Sequence, residues 1–342
     1  MRALKKVKVE NAVGMVLPHD ITRIIPGKFK GVGFKKGHIV QKKDIPELLK
    51  LGKQHLYVLN LSEAYLHEDA AALRIARAVS GKTLRWTDPC EGKTNLIAET
   101  DGVLKINIAG LLKINRLGSI IISTLKNNFP CRAGQTVAAT RIIPLIIRKT
   151  KIERLETIAE KYNTLLDILP YQKKKVGAVV TGSELYEGLI TDEFDTYVGS
   201  KISSLGSAVV QKILAPDDPE RIAEAVRKLR ARGCDLIVTT GGLSVDPDDV
   251  TRIGIQRAGA KIQFYGTPIL PGAMYLYAHL DGIPIMGLPA CVYYHSVTIF
   301  DLMLPRVLAG ETITNNDLAA MGHGGLCMNC RECRYPVCPF GK

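Results

Sequence analysis

Between Cys234 and Gly242 the chain reads CDLIVTTGG, a short, almost wholly apolar and β-branched run that ends in a glycine pair. A strand of that kind is buried on both faces, which calls for covering layers above and below it and for a largely parallel sheet. The flanking sequence supplies both. VGAVVTG (Val176–Gly182) and AVVQKIL (Ala208–Leu214) read as strands. Asp192–Leu205 has helical character and is stopped by Gly206. Asp217 or Asp218 stands as N-cap with Pro219 in the first turn, and Ile222, Ala225, Val226 and Leu229 recur at helical spacing until Gly233. Asp281 and Gly282 make a hairpin-like turn before IPIMG, and a last helix runs through Phe300–Leu308. The expected fold class is α/β, a doubly wound, mostly parallel sheet.

N-terminal to this block the patterning differs. Residues 1–60 are basic and punctuated by glycine, with Ile45, Leu48 and Leu49 at helical spacing, and read as small strands plus one helix. Residues 61–172 form a β-rich middle region, where GVLKINI alternates and SIIIST and QTVAAT are β-branched, followed by a linker helix over Ile152–Leu166. The expected division is therefore 1–60, 61–172, 173–313 and a Cys-rich tail, 314–342.

In a doubly wound sheet, ligands bind beyond the carboxyl ends of the strands. Two loops there are unusual. TGSELYEGLITDE (Thr181–Glu193) brings Gly182 and Ser183 just past a strand and Asp192 to a helix start. TTGGLSVDPDDVT (Thr239–Thr251) offers Gly241 and Gly242, whose backbone N–H groups can turn toward a phosphate, beside the hydroxyls of Thr239, Thr240 and Ser244. Asp246, Asp248 and Asp249 bring carboxylates next to that position, which suits a hard cation such as Mg²⁺. Helix capping is the competing role for Asp192 and for Asp248 or Asp249.

The last 16 residues hold Cys327, Cys330, Cys333 and Cys338 in the spacing C-x2-C-x2-C-x4-C-P. Thiols so crowded can surround one metal, either an iron–sulfur cluster or Zn²⁺, the competing role being that of unliganded surface thiols. The net charge of +13 favours anionic partners, but aromatic residues make up only 6% and are not interleaved with basic runs, so nucleic acid is not the expected partner. No apolar run approaches the roughly 18 residues of a membrane span, and the N-terminus lacks the apolar core of a secretory signal, so the expected location is the cytoplasm, with no membrane partner. An oligomer is left open.

The motifs TGSEL, an Asp opening the next helix, DLIVTTGG with DVT beyond it, and GLPACVYYHSV before a long helix resemble the molybdopterin-binding (Mog-type) domain over about Val176–Thr312. AVGMVLPHDIT and FKKGHIVQKKDIPELLKLGKQHLYVL look like the additional domains of molybdopterin molybdotransferases. The resemblance implies that Asp192 and Asp249 bind Mg²⁺ and act in catalysis, and that Thr181, Gly182, Ser183, Thr240, Gly241, Gly242 and Ser244 contact the phosphate and pterin. It implies molybdopterin or its adenylate and molybdate as ligands, with a molybdoenzyme as acceptor. The leading expectation is a transferase that inserts molybdate with release of AMP; the alternative is a non-catalytic carrier of molybdopterin or of the finished cofactor. One departure bears on that choice: where molybdotransferases carry a Lys-containing KPGKP-like loop, this chain reads ILPGAMY (Ile269–Tyr275).

Overall fold

The computed structural model describes residues 4–25, 27–59 and 63–341. The boundary expected between 60 and 61 lies outside the described residues. The chain divides into two compact units, one drawn mainly from the N-terminal half and the other from residues 101–103, 126–130 and 169–342.

In the N-terminal unit the strands Leu4–Lys8 and His55–Leu59 pair antiparallel, Ile21–Ile25 and Phe29–Phe34 form a hairpin, and a short helix spans Ile45–Lys50. Val9, Leu17, Ile21, Val40 and Leu48 are its buried core. Further along, the strands Leu84–Trp86, Lys93–Ala98, Thr136–Ile142 and Ile120–Thr124 make a four-stranded antiparallel sheet in that spatial order. The helices Glu68–Val79 and Lys149–Lys161 are joined by a two-pronged ion pair, with the Arg74 guanidinium donating to both carboxylate oxygens of Glu156 at 2.9 and 2.6 Å. The linker helix is shorter than its apolar spacing predicts. It stops at Lys161, Asn163 takes a left-handed backbone (φ 61°), and Leu166 belongs to a strand, Leu166–Pro170. Asparagine tolerates that conformation and so ends helices.

The C-terminal unit is built on a six-stranded sheet. Its strands are β1 (Lys175–Thr181), β2 (Ala208–Ala215), β3 (Leu236–Thr240), β4 (Lys261–Tyr265), β5 (Leu276–Leu280) and β6 (Ile283–Leu288). The spatial order is β2-β1-β3-β6-β5-β4. The pairs β1–β2, β1–β3 and β3–β6 are parallel, whereas β5 runs antiparallel to β6 and to β4. The β5–β6 connection is the predicted tight turn, with Asp281 and Gly282 both at positive φ (49° and 82°), the conformation that matches strand twist.

Both faces of this sheet are covered. Val176, Ala178 and Val180 point to one side, where they meet Phe194, Ile202 and the helix α3 (Ile299–Leu308); Val179 and Ile237 point to the other, against Ile222, Val226 and Leu229 of α1 (Pro219–Ala231). Asp218 caps α1 by accepting from the N–H groups of Glu220 and Arg221, with Pro219 in the first turn, as its sequence predicts. Burial of each large aliphatic side chain contributes about 1.5 to 3 kcal/mol, so the apolar stripe of α1, far more than its helix propensity, holds it in place. The loop after β3 leads into α2 (Thr251–Arg257).

Candidate functional site

The chain leaves β1 for the outer strand β2 and then returns to β3 on the other side of β1. The carboxyl ends of β1 and β3 are therefore a topological switch point, where the outgoing loops diverge and leave a crevice. Thr181 ends β1 and Thr240 ends β3, and both are buried. The Thr181 hydroxyl donates to the Thr240 carbonyl at 3.0 Å and shares a second hydrogen bond with the Thr251 hydroxyl, also at 3.0 Å. These bonds lock the ends of β1 and β3 to the start of α2.

The glycine pair is a steric necessity here. Gly241 lies at φ 88°, and a Cβ on it would stand 2.4 Å from the Thr181 carbonyl oxygen; Gly242 lies at φ 57°, and a Cβ on it would stand 2.4 Å from the Thr251 hydroxyl. Among the described residues, the N–H groups of Gly241 and Gly242 donate to no protein acceptor. Donors so held at a strand end suit an anion. The neighbouring N–H groups are differently used: Gly182 donates to Ala215 at 3.2 Å, and Ser183 donates to the Asp217 carboxylate at 2.8 Å while its hydroxyl accepts from the Asp217 N–H. Gly182 and Ser183 thus fix the first loop against the end of β2.

The two expected acidic residues stand in different settings. Asp192 accepts from the Phe194 N–H at 2.9 Å, a local cap, and forms an ion pair with Lys212 of β2 at 2.6 Å; Lys212 also pairs with Asp195. Burial alone would lower the Lys212 ammonium, but the hydrogen bonds it donates to Asp192 and Asp195 outweigh it and hold its pKa above the usual value. Tyr293, from the loop after β6, donates to the Thr240 hydroxyl at 2.9 Å and stacks edge-on against Tyr197. Burial raises the pKa of the Tyr293 phenol, and the Asp192 charge adds to that rise. Asp249 accepts from the Asp246 N–H at 2.9 Å and lines a cavity of about 360 Å³ together with Ser244, Asp246, Arg252 and Tyr265. The Arg252 guanidinium lies over the Tyr265 ring, 4.9 Å from its centroid.

Eight of the nine predicted crevice residues thus fall into three groups: Thr181, Thr240, Gly241 and Gly242 at the strand ends; Gly182 and Ser183 against β2; and Ser244 with Asp249 in the neighbouring cavity; the ninth, Asp192, stands apart from them in its ion pair with Lys212. Lys212, Tyr293 and Arg252 were not singled out in the sequence. A lysine inside the largely apolar run AVVQKIL was the one local sign of the first. Among the described residues, no group of three or more His, Cys, Asp or Glu side chains could hold a metal ion, and no helix is long and apolar enough to cross a membrane.

Residues 177–309 match the family model described as a probable molybdopterin binding domain, and residues 6–60 match one described as a domain of unknown function. A CinA-like protein of Amoebophilus asiaticus is 30% identical over 125 residues, 36% of this chain and 29% of that protein. A molybdopterin molybdenumtransferase of Haemophilus influenzae is 27% identical over 150 residues, 42% of this chain and 37% of its own. The chain thus spans about a third of the length of these two curated relatives. A molybdopterin biosynthesis moea protein of Pyrococcus horikosii superposes on 90% of this chain and 75% of its own, with a TM-score of 0.34 at 15% identity. The switch-point crevice, with its glycine pair and threonine ladder, lies within residues 177–309, which carry the domain described as a probable molybdopterin binding domain.

Proposed function

We propose that this crevice holds molybdopterin, or its adenylate, by the phosphate and promotes molybdate insertion with release of AMP. The observation that carries the reading is the pair of N–H groups on Gly241 and Gly242, kept clear of protein acceptors at the switch point by a loop that admits no side chain. Thr181, Thr240 and Ser244 surround that position with hydroxyls, Gly182 and Ser183 hold the facing loop, and Arg252 supplies a cation beside the cavity. Magnesium is bound in many such sites by one or two carboxylates together with substrate phosphates; Asp192 and Asp249 are the carboxylates proposed to meet it, and it would supply Lewis-acid neutralisation of the phosphoanhydride. The tail cysteines have no part in this step.

A carrier without turnover is the second reading, and two observations favour it. Asp192 is already neutralised by Lys212, and Leu270 of ILPGAMY stands where the related loop carries its cation while its backbone is bonded to the tail, donating to the Gly325 carbonyl at 2.8 Å. Incubation of the purified chain with adenylylated molybdopterin, molybdate and Mg²⁺ separates the two. Catalytic AMP release supports insertion; stoichiometric retention of the pterin without AMP supports the carrier; no retention overturns both. Two substitutions sharpen the result. Asp249→Ala is expected to abolish Mg²⁺-dependent AMP release. Asp192→Ala does the same if insertion operates, but in a carrier it releases Lys212 from its stronger partner and tightens retention of the phosphate.

A further inference from the structure

The four tail thiols all line one cavity of about 260 Å³, together with His295 and Arg334. The chain that carries them is a closed loop. The Gly341 N–H donates to the Gly324 carbonyl at 2.9 Å, joining the two ends of the segment that contains every one of these cysteines. The loop is also fastened to the body of the C-terminal unit. The Cys327 N–H donates to the Leu270 carbonyl at 2.8 Å, the Tyr335 hydroxyl donates to the Asp301 carbonyl at 3.0 Å, and Phe340 is 2% exposed in the main core. The walls of the cavity are therefore fixed by ordinary packing and hydrogen bonds, before any metal is considered.

Size decides what such a cavity takes. Four thiolates around one zinc, each about 2.3 Å from it in tetrahedral array, would stand about 3.8 Å from one another. All four cysteines line the same cavity of about 260 Å³, a space far larger than one ion fills. A cavity of that size ringed by four cysteines has room for a ligand with several metal atoms and its own bridging sulfides. Charge agrees. Four thiolates on an iron–sulfur core leave net negative charge, and Arg334 lines the cavity to offset it, within a chain of net charge +13.

We propose that Cys327, Cys330, Cys333 and Cys338 ligate a [4Fe–4S] cluster in this cavity, not a single zinc ion. On assembly each thiol gives its proton to solvent and its sulfur bonds one iron, the iron and sulfide being supplied to the protein. The proposal is independent of the pterin reading, since none of these four residues belongs to the switch-point crevice.

Purification of the full chain without oxygen, followed by iron, zinc and acid-labile sulfide analysis and visible spectroscopy, tests it. The expected result is about four iron and four sulfide per chain, with broad visible absorption bleached by dithionite. One zinc per chain, one iron without sulfide, or thiols that stay metal-free after reconstitution with iron and sulfide would each overturn it. Cys333→Ser removes an exposed ligand and is expected to lose most of the iron while the far-ultraviolet spectrum is unchanged; Cys90→Ser, an exposed cysteine of the N-terminal unit, keeps it. Equal iron content in both variants would also defeat the assignment.

Discussion

The switch-point crevice and the tail cavity lie in the same unit but are built on opposite principles. The crevice is tight and complete in protein terms: glycines abut backbone, threonine hydroxyls bridge the strand ends, and the residues around it are mostly buried. The cavity is open. Leu326 and Met328 line it and stand exposed, and among the described residues its four cysteines form no disulfide. A site formed by packing alone should tolerate little change in the bare chain, whereas a site completed by its ligand should tolerate much until the ligand is loaded.

The strongest way to break this comparison is to attack the support leading to the tail. Arg306 of α3 is buried, donates to both Glu311 carboxylate oxygens at 2.9 and 2.8 Å, and lies 3.5 Å from Asp317. Arg306→Ala takes a buried cation away from the Glu311 and Asp317 carboxylates and empties its place in the core, and is expected to lower stability by about 3 to 5 kcal/mol in urea denaturation. The same cluster has a pH signature. Burial alone would raise the Asp317 carboxyl, but hydrogen bonds from Thr314 and then the Arg306 charge outweigh it and hold it below the usual 3.8. A depressed carboxylate stabilises the fold above its unfolded pKa and loses that contribution as pH falls through the folded one. This part of the stability is thus complete near neutrality and disappears below pH 3.8, a loss that Asp317→Asn should abolish in a pH series of melting curves.

Next comes the crevice itself. Gly241→Ala places a methyl group against the Thr181 carbonyl in a left-handed backbone, and a destabilisation of about 2 to 4 kcal/mol is expected, with pterin retention lost. A change under about 1 kcal/mol would mean that the loop relaxes and that the crevice is not the rigid site described. The smallest effect belongs to the cavity wall. Met328→Ala, at a side chain 74% exposed, should alter the metal-free chain by no more than about 0.5 kcal/mol. A loss comparable to that of Gly241→Ala would put the two sites in one class.

Much of the C-terminal unit could be read from the chain because its signals are local. An all-apolar strand, an Asp-Pro cap and an Asp-Gly turn each fix a few backbone angles through their own side chains, and β3, α1 and the β5–β6 hairpin follow. The N-terminal half was less legible. Ile108–Asn115 forms a helix within a stretch whose β-branched runs suggested strands throughout, because short apolar segments serve either structure and their surroundings decide.

By itself the sequence determined the strand and helix alternation, the glycine pair and the spacing of the tail thiols, since these rest on steric limits and periodicities acting over a few residues. Only the tertiary structure decided that Lys212 neutralises Asp192, that Tyr293 reaches Thr240, and that the tail closes on itself and binds at Leu270. Those contacts join residues 17 to more than 50 positions apart. The crossover of the chain from β2 past β1 to β3, and the burial of Phe340, bring them together, and no local preference along the chain encodes that encounter.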